Sequence, residues 1–158
     1  MISARLRRAV RSIYDAHCGY CGVSEVEVGA PLTVDHYQPE SRQGFDALEN
    51  LVYCCQACNA FKSDYWPADP ALRLLHPLRD DLGIHLRQEV DGRLTALTEA
   101  GARQIERLHL NRPQLVRHRL NIQERRLEQH AHAEMRRELS RIAQRLKRLE
   151  ERFERDGR

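Results

Sequence analysis

The sequence predicts an α+β fold: a strand–loop–strand–helix core stapled by cysteine pairs, then a β-hairpin and helices, then one long coiled-coil-like helix. Three observations predict it. Two Cys-x-x-Cys pairs, Cys18/Cys21 and Cys55/Cys58, bracket the short apolar runs "LTVDH" and "NLVYC". An Asp-Gly dipeptide, Asp91-Gly92, joins two alternating segments in the manner of a hairpin. From Pro113 onward neither Gly nor Pro occurs until Gly157. Within that stretch Met135, Leu139, Ile142, Leu146, Leu149 and Phe153 recur at spacings of 4, 3, 4, 3 and 4, a heptad seam. The chain divides accordingly into a core with its N-terminal helix (residues 1–65), a connecting hairpin and helix (66–112) and a long basic helix (113–158).

Each element has its own signal. Residues 3–16 read as a helix with Leu6, Val10, Ile13 and Tyr14 on one face. "CGYCG" makes a glycine-punctuated knuckle, 32–36 a short strand, "SRQG" a loop, "NLVYCC" a second strand and 56–65 a helix. Residues 66–83 hold three of the six prolines and read as irregular connection. In "IHLRQEVDGRLTAL" the Asp-Gly pair suits a type I′ turn, whose two central residues take positive φ. Thr98 is placed to cap a helix running to about His109. Asn111 and Pro113 mark a break and a fresh helical start, where Pro costs no hydrogen bond.

Composition narrows the class. The chain has 158 residues, 6% aromatic and 31% charged, with one Trp, which makes a lean core under a wet surface. No apolar run approaches the ~20 residues of a spanning helix, so a membrane protein is not expected. The basic start "MISARLRRAVRSIY" is followed by no apolar signal region, and a reducing cytoplasm is the expected compartment. Five cysteines there read as metal ligands rather than disulfides. Residues 113–158 carry thirteen Lys/Arg against eight Asp/Glu, whereas the two preceding segments are nearly balanced. A smaller cluster, Arg5, Arg7, Arg8 and Arg11, opens the chain. Such clusters can track phosphate backbones, but arginines also decorate ordinary solvated helices, so charge alone selects no partner.

Two Cys-x-x-Cys pairs, 33 residues apart, complete a tetrahedral sulfur set of the kind that zinc favours. A redox dithiol needs only one pair. A closed four-sulfur site leaves no position for substrate, so this zinc is expected to be structural and to contribute directly to folding. Cys54, next to Cys55, points to the opposite strand face and reads as a small buried side chain.

Between the pairs lie Asp35, His36, Asn50 and Asn59. The run C18-G-Y-C21, D35-H36-x-x-P39, G44, N50-L51, C55-x-x-C58-N59-x-x-K62 resembles the HNH endonuclease family in its four-cysteine, stand-alone bacterial form, over roughly residues 14–64. The resemblance implies a zinc-stapled ββα-metal core gripping a catalytic divalent ion, Mg²⁺ or Mn²⁺. It implies that His36 is the general base, that Asp35 and Asn59 hold the metal, and that Asn50 ties the loop that aims His36. Lys62, with Arg5 and Arg8, becomes a candidate phosphate contact. Carboxylate and amide oxygens do suit a hard ion, and adjacent strand residues normally face apart, so Asp35 and His36 can converge only where the strand ends. Residues 76–119 are similar to a tail that follows the nuclease core in stand-alone members, with Arg112, Arg117 and Arg119 either facing phosphates or simply packing. The expected function is metal-dependent hydrolysis of phosphodiesters in DNA in preference to RNA. Two alternatives stay open: a non-catalytic zinc-knuckle module that binds nucleic acid or protein, and an RNase using the same site. The seam over 135–153 is expected to pair with a second copy, with a partner protein, for example an ATPase in anti-phage defence, or with the chain's own N-terminal helix.

Overall fold

The computed structural model describes residues 2–156, and the side chains of residues 149–150 and 153–156 lie outside the described set. Two compact units divide the chain, Met1–Arg119 and Leu120–Arg158.

The first unit is a mixed helix-and-strand domain. Helix α1 (Ala4–Ile13) starts at Ser3, whose hydroxyl accepts from the Leu6 amide at 3.2 Å. Leu6, Val10 and Tyr14 pack into the core. Ile13, expected on the same face, is 48% exposed. The i, i+4, i+8 row fills the contact, and a residue one position off that row is turned about 100° away. A short helical turn, α2 (Glu25–Val28), which the sequence had not suggested, is closed by a capping box between Ser24 and Glu27. Glu25 accepts two bonds from Arg11 Nε and one from Arg11 Nη2, and one from the Tyr53 hydroxyl, tying α1 and α2 to the second strand.

Strands β1 (Thr33–His36) and β2 (Leu51–Cys54) pair antiparallel with Thr33 opposite Cys54 and His36 opposite Leu51. All four β2 residues are buried, because α1 covers the hairpin. Helix α3 (Gln56–Lys62) follows at once, capped at its start by the Cys55 sulfur, and packs on β1. These three elements are the ββα core.

Beyond a proline-rich connection come a helical turn, α4 (Leu82–His85), and a second antiparallel hairpin, β3 (Leu86–Gln88) with β4 (Leu94–Ala96). Its turn differs from the expected type I′ form. Of Asp91 and Gly92 only Gly92 takes positive φ, at 79°, and its amide donates to the Glu89 carbonyl at 3.0 Å. This is a wider loop that uses one left-handed glycine. Helix α5 (Glu99–Arg107) begins at Thr98, as expected, with the Gly101 amide on the threonine hydroxyl. Asn111 clasps Leu94 through both its amide and its carbonyl oxygen at 2.8 and 2.7 Å. Helix α6 (Pro113–Asp156) is a single helix opened by proline. Its first turns belong to the first unit, where Leu115 is buried and Arg119 donates to the Gly92 and Leu110 carbonyls.

The second unit is the remainder of α6. Leu127, Met135, Leu139, Ile142 and Leu146 are each 48–71% exposed along it. Leu149 and Phe153 of the expected seam lie outside the described residues.

Candidate active site

The cysteine pairs converge. One ligand sulfur from each of Cys18, Cys21, Cys55 and Cys58 lies within 4.8 Å of the others. Gly22, at φ 80°, turns the first knuckle so that its amide reaches the Cys18 carbonyl at 2.8 Å, and Cys55 and Cys58 sit at the cap and first turn of α3. The Cys21–Cys55 sulfur separation is 3.7 Å. A tetrahedral zinc with ~2.3 Å bonds needs edges of about 3.8 Å, so the set fits that ion. Without a cation the thiols cannot ionise together. Hydrogen bonds from its neighbours hold Cys55 well below the ordinary thiol range, and the same crowding pushes Cys21 and Cys58 well above it. Arg112 brings Nη2 to 3.8 Å from Cys58 Sγ, a cation beside a cluster that carries net negative charge when metallated. Cys54 lies outside the cluster, buried against the Thr33 hydroxyl at 3.6 Å, and burial raises its thiol.

At the end of β1, Asp35 and His36 part company. Asp35 turns toward α3, where its Oδ2 lies 2.9 Å from Lys62 Nζ. Burial pushes the Asp35 carboxyl up, opposed by the Lys62 charge. Lys62 is only 1% exposed, and its ammonium also donates to the His36 carbonyl at 2.7 Å. It therefore holds Asp35 and the strand end from inside, whereas the expected phosphate contact needs it at the surface. The Asn59 side-chain amide, in the first turn of the same helix and half-buried, makes no hydrogen bond to any described residue, whereas its backbone amide donates to the Cys55 carbonyl at 3.0 Å.

The His36 imidazole turns instead into the loop between the strands. Its Nε2 lies 2.7 Å from Asp46 Oδ1 and 3.7 Å from Glu40 Oε1. Neither acid is marked in the sequence, since nothing local distinguishes a loop carboxylate that folds back ten residues. Asn50 shapes this loop. Its Oδ1 accepts from the Gln38 amide at 2.8 Å, and its Nδ2 donates to the Gln38 and Phe45 carbonyls at 3.1 Å each. Gly44 packs so close that a Cβ would fall 1.7 Å from the Gln38 oxygen. With an ionised Asp46 accepting from Nε2–H, the free lone pair of a neutral His36 is on Nδ1.

Arg5 and Arg8 are exposed on α1, while Arg11 is committed to Glu25. Of the tail arginines, Arg117 is exposed. Arg119 is buried, and Arg112 is bound to the Leu108 and His109 carbonyls, so these two act in packing. His76 is also buried. Loss of hydration lowers its imidazole to about 4, so it is neutral at pH 7.

A ββα core stapled by four sulfurs, with Asp-His at the strand end and an asparagine clasp behind it, is now in place. Residues 18–64 match the family model of the HNH endonucleases. No curated protein and no solved structure matches the chain. The HNH segment supports nuclease-like chemistry and nucleic-acid binding in general, and it spans both cysteine pairs and every residue of the strand-end site. No helix among the described residues is long and apolar enough to cross a membrane.

Proposed function

We propose that the chain is a metal-dependent endonuclease that hydrolyses phosphodiester bonds in DNA, with His36 as general base and Asp35 and Asn59 holding a divalent ion. The observation that carries this reading is the strand-end imidazole. Asp46 lies 2.7 Å from Nε2 on a loop held by Asn50, and with Asp46 ionised and accepting from Nε2–H the Nδ1 lone pair would be left for a water proton. One carboxylate and one amide oxygen, with water completing the shell, suit Mg²⁺ or Mn²⁺. When bound, that ion would stabilise charge developing on the phosphate. His36 takes the proton of the attacking water, and Asp46 compensates the imidazolium that results. Lys62 keeps Asp35 anionic against the pull of burial. Zinc at the four cysteines would hold β1, β2 and α3 together and take no part in the chemistry. Arg5 and Arg8 remain candidate phosphate contacts. The exposed seam on α6 is assigned to pairing with a second copy of the chain.

One observation favours a second reading. Asp35 is already neutralised by a buried ammonium, as it would be in a non-catalytic zinc-knuckle binding module. Plasmid nicking in Mg²⁺ or Mn²⁺ separates the two, run beside a structured RNA. His36→Ala, matched to wild type in zinc content and helicity, should cut about 10²–10⁴-fold more slowly. Equal cutting by both proteins would remove His36 from the mechanism. Faster cutting of RNA would make the enzyme an RNase, and binding without cutting would leave the module.

A further inference from the structure

His36, Glu40 and Asp46 are a second group of side chains able to hold a metal ion, sharing no member with Asp35 and Asn59. Glu40 Oε1 and Asp46 Oδ1 lie 3.7 and 2.7 Å from Nε2, and the three ligand atoms fall within 4.8 Å of one another. Atoms that share one tetrahedral ion at bonds of ~2.0–2.2 Å sit about 3.4 Å apart, so small side-chain movements would close the set. Glu40 lies four residues after His36, beyond the strand end, and is 65% exposed, so ions reach it from solvent. Asp46 is held by the Asn50 clasp of the loop. One imidazole with two carboxylates suits zinc and its transition-metal neighbours, whereas magnesium prefers oxygen alone.

We propose that His36, Glu40 and Asp46 form an inhibitory zinc site that silences the enzyme by reversing the tautomer of His36. The inhibitory role rests on His36 being the general base. With Asp46 ionised at 2.7 Å from Nε2, it would accept from Nε2–H in the resting site and the basic lone pair would be on Nδ1. Zinc bound at Nε2 needs that nitrogen's lone pair. The Nε2 proton leaves to solvent and one proton is taken up at Nδ1, so the ring stays neutral. Nδ1 is then a donor and cannot accept a proton from water. Magnesium leaves Nε2 alone, so the two ions would act in opposite senses on one histidine.

The test uses the full chain carrying its one structural zinc. Titration with Zn²⁺ should show a second bound equivalent, and Glu40→Ala should weaken that equivalent about tenfold or more while retaining the first. Nitrogen-15 imidazole spectra should show the His36 proton moving from Nε2 to Nδ1 as the second equivalent binds. In magnesium, added zinc should stop plasmid nicking by wild type, and Glu40→Ala should need about tenfold more zinc for the same effect. Binding of only one zinc, a second equivalent indifferent to Glu40→Ala, an unmoved proton, or nicking that persists with the second site filled would each overturn the proposal. The binding and spectral arms read the site even in a chain that cuts nothing, so loss of the nuclease reading is separately visible.

Discussion

His36 depends on one carboxylate that the motif does not contain. Asp46→Ala is expected to slow nicking by on the order of tenfold, short of the loss in His36→Ala. It should also shift the pH–rate profile, which a purely structural role would not move. Asp35 and Lys62 form a buried ion pair, and removing one partner of such a pair costs about 3–5 kcal/mol. Lys62→Met should therefore lower the denaturation midpoint, and Lys62→Met with Asp35→Asn should recover part of the loss in a double-mutant cycle. His76 makes an acid prediction. Its folded value of about 4 lies below the ordinary histidine value, so the unfolded chain binds the proton more readily. Stability should be complete above about pH 6.5 and fall as pH drops toward 4, by up to about 3 kcal/mol. His76→Phe should flatten that slope in urea melts.

The elements of the core are individually small, and what joins them decides their stability. Two four-residue strands and a seven-residue helix bury little by themselves, so chelation of the metal should melt this unit cooperatively. Structural zinc sites supply on the order of ten kcal/mol, and circular dichroism before and after chelator should show the loss, with Cys58→Ser reproducing it. The loop between the strands tolerates no side chain at residue 44. Gly44→Ala should displace the Gln38–Asn50 clasp and lower activity more than stability, as compared by nicking and by thermal melts. The cysteine spacing, the two strands and α3 were legible because the residues that define them are neighbours in sequence. The hairpin turn was less so, because Asp-Gly suits several turn types and the loop length around it selects among them. Ile13 is exposed for a similar reason, since an apolar residue can match a helix periodicity yet fall off the row that meets the core.

At the scale of the whole molecule, the described residues end in a helix that nothing in its own unit covers. Leu139, Ile142 and Leu146 are each about half exposed or more, and a sustained heptad seam normally finds a partner helix. Sedimentation of the wild type should show concentration-dependent self-association. Leu139→Glu with Ile142→Glu should abolish it and leave the melting of the Met1–Arg119 unit unchanged. Retained association in that variant would remove the seam from the interface.

By itself the sequence determined the fold class, the four-sulfur staple, the place of Asp35 and His36 at a strand end, and a helical stretch from Pro113, as one helix or two with a bend. All of these follow from short-range spacing, periodicity and the absence of breakers. Only the tertiary structure decided where the charged side chains turn. It sent Lys62 inward to Asp35, Arg112 to Cys58 and Arg119 to the Gly92 and Leu110 carbonyls, and it brought Asp46 and Glu40 to His36. A long basic side chain or a loop carboxylate has many reachable partners along the chain. The packing of other elements selects among them, since each buried charge must meet an opposite charge or a carbonyl.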